Sequence, residues 1–139
     1  MGNHLVLYCD GASRGNPGPA SIGAILYKKA DDGTESPEAV AEVSRAIGKA
    51  TNNHAEYTSL IEGLKQAAGM NTDGIDVRMD SELVVKQIRG EYRVKNAGLK
   101  PLFEEAKRLL NGFPEWSIAH IRRDRNSEAD RLANEALDK

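Results

Sequence analysis

The spacing of apolar and polar positions changes along the chain, and each change marks an element. Leu5-Val6-Leu7-Tyr8-Cys9 is a short apolar run closed by Asp10, the pattern of a buried strand. Gly11 to Pro19 is dense in glycine and proline and is expected to form a tight loop. A second strand is expected over Ser21 to Lys29, where Ile22, Ala24 and Leu26 alternate in part. Ala30 to Pro37 is a polar turn centred on Asp32-Gly33, and Ala39 to Ile47 alternates as a third strand.

The period then becomes helical. Ala55, Leu60, Ile61, Leu64 and Ala68 fit a helix over Asn53 to Met70, with Thr51 and Asn52 as candidate caps. Ile75 to Met79 reads as a short fourth strand ending at Asp80. Ser81 can cap a helix that runs to about Arg89 and is ended by Gly90. Leu99 to Leu110 forms another, with Pro101 in its first turn. Trp116 to Ile121 is a fifth strand and Ser127 to Leu137 a final helix. The order β-β-β-α-β-α-α-β-α predicts an α/β fold. Three antiparallel strands lead into helical crossovers, which need parallel partners, so the sheet is five-stranded and mixed with helices flanking it.

Composition narrows this picture. The 139 residues fit one domain, 1–139. The single cysteine, Cys9, excludes an intrachain disulfide and reads as a small core residue. No apolar run approaches the roughly 18 residues of a membrane span, and no signal peptide is legible, so a cytoplasmic protein without a membrane partner is expected. The formal net charge of −2 gives no overall attraction to a polyanion. A nucleic-acid site would need a local basic patch or metal ions to offset phosphate charge.

Four acids stand out by position. Asp10 and Asp80 close the first and fourth strands, and Glu56 and Asp130 lie in the first turns of the first and last helices. Ligand crevices in such sheets form at strand ends. Carboxylates converging there repel one another unless a divalent cation intervenes, and oxygen-only ligands favour Mg²⁺ or Mn²⁺ over Zn²⁺. Taken singly, each acid has a local explanation: a turn before Gly11, a cap beside Ser81, or a favourable charge at a helix N-terminus. Only the set of four points to a metal site.

The segments around these acids resemble the motifs of type 1 ribonuclease H. Asp10-Gly11-Ala12-Ser13-Arg14-Gly15-Asn16-Pro17-Gly18-Pro19-Ala20 is similar to that family's first-strand signature, and Thr51-Asn52-Asn53-His54-Ala55-Glu56 to its Thr-Asn-Asn segment and catalytic Glu. Asp80-Ser81-Glu82-Leu83-Val84-Val85 resembles its Asp-Ser motif, and Asn126-Ser127-Glu128-Ala129-Asp130-Arg131-Leu132-Ala133-Asn134 its last motif. The likeness runs from about Leu5 to Leu137 in the family's order.

The resemblance implies cleavage of the RNA strand of an RNA/DNA hybrid, largely without regard to sequence, leaving 5′-phosphate and 3′-hydroxyl ends. It implies two Mg²⁺ ions, replaceable by Mn²⁺, held about 3.5–4 Å apart by Asp10, Glu56, Asp80 and Asp130. One ion would lie on Asp10 and Asp130, the other on Asp10, Glu56 and Asp80; a single ion with a transient second stays open. By the same resemblance Asn16, Asn52 and Glu82 lie along the minor groove, where 2′-hydroxyls identify RNA. Glu82 stands where many relatives carry Gln and can accept but not donate. Asn53 resembles a DNA-strand contact, and Thr51 and Asn96 match a DNA phosphate pocket. Gly11, Gly15 and Gly18 would let backbone approach the strand closely, and Ser13, Ser81 and Arg123 complete the expected substrate contacts. Turn-forming and capping roles serve as well for Gly18 and Asn52.

Two features depart from many bacterial relatives. The segment Gly90-Glu91-Tyr92-Arg93-Val94-Lys95-Asn96 is too short for a basic handle, which places the chain with the handle-less subgroup. The loop Arg122-Arg123-Asp124-Arg125 has no histidine, and an arginine would take its place in product release. Lys86, Arg89, Arg93 and Lys95 offer further phosphate contacts, and a solvated helix face serves as well for Lys86 and Arg89. A monomer acting on RNA/DNA hybrid is expected, with double-stranded RNA an open second substrate. The alternatives are another nuclease on the same fold, a hybrid-binding module without catalysis, and a fragment of a larger polypeptide.

Overall fold

A computed structural model describes residues 2–139. Its elements run β1 (Asn3–Ser13), β2 (Gly18–Lys28), β3 (Ala41–Ala50), α1 (Asn52–Ala68), β4 (Thr72–Met79), α2 (Glu82–Ile88), α3 (Lys100–Asn111), β5 (Glu115–His120) and α4 (Ser127–Asp138), with a 3₁₀ turn at Arg123–Arg125. The five strands form one sheet in the order β3-β2-β1-β4-β5. β2 pairs antiparallel with both β1 and β3, while β4 and β5 continue the sheet in parallel beyond β1, as the chain order requires.

The core follows the period-two logic of the central strand. Leu5, Leu7 and Cys9 of β1 are fully buried with Tyr57, Leu60 and Leu64 of α1, and with Leu110 of α3. On the other face α4 lies across β2, and Gly23 makes that approach possible. A Cβ on Gly23 would collide with the backbone of Ala129 and Ala133. Ser21 and Ser44 fasten the helix by donating to the carbonyls of Ala133 (2.5 Å) and Leu132 (2.6 Å). Thr51 and Ser81 cap α1 and α2, accepting from His54 N at 3.2 Å and Val84 N at 3.3 Å. Among the described residues no helix is long and apolar enough to cross a membrane.

Several expectations need correction. The loop expected from Gly11 to Pro19 shrinks to 14–17, because β1 continues to Ser13 and β2 already begins at Gly18. Asp10 therefore lies inside β1, paired with Gly23, and does not end the strand. Gly11 is there for a close approach and not for a turn: a Cβ on it would strike the backbone of Ala55 and Glu56 in α1. The third strand starts at Ala41 and continues to Ala50, since pairing with β2 carries on to Gly18. Asn52 is the first residue of α1, leaving Thr51 as its N-cap.

Candidate active site

The register between β1 and β4 creates the site. Their last parallel pair is Cys9 with Met79, so Asp10 and Asp80 emerge side by side where β4 stops and β1 goes on. Beyond that point the Gly11 N–H has no strand on its β4 side. It donates instead to Glu56 Oε1 at 2.7 Å, drawing a carboxylate from α1 to the sheet end. Carboxylate oxygens of Asp10, Glu56 and Asp80 consequently all lie within 4.8 Å of one another. Asp130, in the first turn of α4, lines the same cleft, outside that trio.

Such crowding is unfavourable for bare anions. Asp10 and Glu56 are buried, at 6% and 3% exposure. Burial, and then the charge of Glu56, push the Asp10 carboxyl up to about 10. Burial raises Glu56 to about 7, although the Asp10 carboxyl and the Gly11 N–H partly oppose it. Glu56 Oε2 is buried with no hydrogen-bond partner. An orphaned carboxylate oxygen among three converging carboxylates is an all-oxygen donor set, and it fits a hard divalent cation. Asp10, Glu56 and Asp80 could hold it directly, with Asp130 in the same cleft.

The cleft measures about 480 Å³ and also takes in Gly11, Ser13, Asn52, Ser81 and Arg123. A second concavity of about 430 Å³ gathers Asn16, Thr51, Asn53 and Asn96. The Asn52 N–H donates to Asn16 Oδ1 at 3.1 Å, which ties the β1–β2 turn to the start of α1. Glu82 lines neither concavity; it is exposed and pairs with Lys86 Nζ at 2.9 Å. His54 is exposed at the head of α1, in keeping with a surface role.

Several residues at the site carried no assigned role in the sequence reading. Arg14, at the cleft wall, pairs with Asp138 near the end of α4. Asn134 lines the cleft one helical turn after Asp130, a spacing that could have revealed it. Asn126 is 1% exposed and donates from Nδ2 to Cys9 O at 3.0 Å and to Asp80 Oδ1 at 3.3 Å.

Comparison with known proteins follows the same lines. A family profile described as "Reverse transcriptase-like" matches residues 8–136. The ribonuclease HI of Halobacterium salinarum is 47% identical over 137 residues, which cover 99% of this chain and 66% of that protein. A bifunctional protein of Mycobacterium tuberculosis is 45% identical over 134 residues, only 35% of its length. The chain thus spans between about a third and two thirds of these relatives. A ribonuclease H of Pseudomonas savastanoi pv. phaseolicola is 33% identical with 95% of its length covered. Among solved structures, RNase H1 from Halobacterium salinarum superposes with a TM-score of 0.88 at 47% identity, covering 97% of this chain and 98% of that one. LC11-RNase H1, solved in complex with an RNA/DNA hybrid, gives 0.85 at 38% identity, covering 96% of each chain.

Proposed function

The chain belongs to the type 1 ribonuclease H family, and on that footing we propose that it is a metal-dependent endonuclease hydrolysing the RNA strand of RNA/DNA hybrids. The products would carry 5′-phosphate and 3′-hydroxyl ends, with little dependence on sequence. The observation that carries this reading is the carboxylate trio of Asp10, Glu56 and Asp80 within 4.8 Å, in a cleft shared with Asp130. Two Mg²⁺ ions, replaceable by Mn²⁺, would be held by these four acids. Bound there, they would supply Lewis-acid activation of a water and charge neutralisation at the scissile phosphate.

The chain's own groups do the rest. Burial of Asp10 and Glu56 fixes their carboxylates, so little reorganisation accompanies catalysis. Gly11, Ser13, Asn52 and Ser81 border the acids and would meet the RNA strand, where Asn52 and Asn16 read 2′-hydroxyls. Glu82 would accept from a 2′-hydroxyl at the groove edge. Thr51, Asn53 and Asn96 share the second concavity, which suits a phosphate of the DNA strand. Arg123 lines the acidic cleft and would draw the cleaved phosphate away, in the role a histidine takes in many relatives. The short 90–96 segment supports a reading as a member of the handle-less subgroup, and the chain would act as a cytoplasmic monomer in one domain. Exposed large apolar side chains among the described residues are Val40 and Tyr92, too sparse for a sizeable apolar interface.

The test is cleavage of an end-labelled RNA/DNA hybrid in Mg²⁺ or in EDTA, beside matched RNA/RNA and DNA/DNA duplexes. Metal-dependent cutting of the hybrid's RNA strand is expected, and the RNA/RNA duplex decides the second substrate. Retained hybrid binding with no cutting in Mg²⁺ or Mn²⁺ would replace this reading with a recognition module.

A further inference from the structure

Asn126 touches each of three chain segments that carry a cleft acid. Its Nδ2 donates to the carbonyl of Cys9, the residue before Asp10, at 3.0 Å, and to the Asp80 carboxylate at 3.3 Å. Its own carbonyl accepts from Asp130 N at 3.1 Å, the bond that opens α4. Its N–H donates to Arg123 O at 3.0 Å, which closes the 3₁₀ turn bearing the arginines. Four hydrogen bonds from one residue therefore register β1, the end of β4, the head of α4 and the arginine turn.

The chemistry of the side chain matters as much as its place. An amide nitrogen has two hydrogens, and the two acceptors use both. A carboxylate receiving one of them keeps its second oxygen free for a cation, and its orientation is fixed. The amide oxygen, by contrast, is buried without a partner. Burial of an unpaired acceptor costs stability, so an amide placed in this way contributes through its donors and not through packing. Ligand-orienting groups of this kind are a common companion of metal sites.

We propose that Asn126 is the positioning residue of the cation site, setting the spacing between the strand of Asp10, the Asp80 carboxylate and Asp130. This rests on the metal-site reading above. Removing the donors frees Asp80 to rotate and loosens the head of α4 against the end of β1, so the acids converge less well without the cation's help.

The experiment is a thermal melt of the full chain titrated with MgCl₂, for wild type and Asn126→Ala, together with kcat and KM on hybrid at each Mg²⁺ concentration. Wild type should show a saturable rise in Tm. Asn126→Ala should need about 10–100 times more Mg²⁺ for half the rise. Its kcat should fall at low Mg²⁺ and recover at high Mg²⁺, with KM for the hybrid unchanged. Should Asn126→Ala not fold, Asn126→Ser, which supplies a small side chain able to cap α4 but unable to span both acceptors, is titrated the same way. A lower Tm with the wild-type Mg²⁺ midpoint would make Asn126 a structural residue only and overturn the proposal. A wild-type Tm indifferent to Mg²⁺ would overturn the metal-site reading as well.

Discussion

The backbone N–H of Gly11 donates to the Glu56 carboxylate at 2.7 Å across a contact that has no room for a side chain. The bond makes the strand itself a ligand-holder, since the residue after Asp10 fixes the acid from α1. Gly11→Ala forces α1 away from the sheet end and moves Glu56 with it. The expected loss is about 1–3 kcal/mol of stability from overpacking and on the order of 100-fold in kcat from misplaced ligands. Urea unfolding and steady-state cleavage check the two halves. Wild-type activity in Gly11→Ala would mean that the Gly11–Glu56 contact does not set the site.

Raised carboxyl pKa values give a pH dependence with a definite sign. In the metal-free chain burial lifts Glu56 to about 7 and Asp10 to about 10, both above the roughly 4 of an unfolded carboxyl. The folded state then holds protons that the unfolded state has released. Their contribution to stability is complete below about pH 4 and is lost as pH rises through 7 towards 10. Melts in EDTA should show Tm falling between pH 5 and pH 9. Protons and cation compete for the same oxygens, so added Mg²⁺ should raise Tm more at pH 8 than at pH 5. A Mg²⁺ effect equal at both values would argue against these groups as ligands.

Asp76 is buried too, but it lies on the other side of the molecule's chemistry. It accepts from Lys29 Nζ (2.7 Å) and Ser117 Oγ (2.7 Å), with His4 Nε2 at 3.2 Å. Burial acts to raise its pKa, yet these partners outweigh it and hold the carboxyl at about 2. Its stabilisation is present above about pH 4 and fades as pH falls towards 2. Asp76→Asn should cost about 1–3 kcal/mol at pH 7 while leaving kcat unchanged. Equal Tm values for the variant and wild type at pH 7 would show the network to be idle.

Arg123→Ala should slow turnover more than it weakens binding. Arg123 lines the acidic cleft but is exposed, so its loss should cost on the order of tenfold in kcat, below the value of an enclosed donor. KM should stay nearly constant. An effect on KM alone would make Arg123 a phosphate anchor instead.

Much of this was legible in the chain before any coordinates. Element order, sheet class and the Thr51 and Ser81 caps followed from periodicity and cap chemistry, because these depend on residues close in sequence. The extension of β1 through Gly11 to Ser13 did not. Glycine serves a turn and a close approach equally well, and only the tertiary contact with Ala55 and Glu56 separates the two. Asp76 and Asp10 show the same limit. Both sit in or beside apolar strand runs, yet one meets a lysine and the other meets carboxylates. Strand pairing across 70 residues, Val6 beside Asp76 and Cys9 beside Met79, decides which. The donors of Asn126 were hidden for the same reason, as their acceptors lie 117 and 46 residues away.

The most direct test of the carboxylate cluster as a metal-dependent nuclease site is Asp10→Asn, assayed side by side for hybrid cleavage in Mg²⁺ and for hybrid binding. The variant keeps the shape of the buried side chain and removes the carboxylate that a cation among the three acids would need. Cleavage reduced to background with hybrid binding retained is the expected result. Cleavage at the wild-type rate in Mg²⁺ would contradict the assignment of this cluster as the catalytic centre.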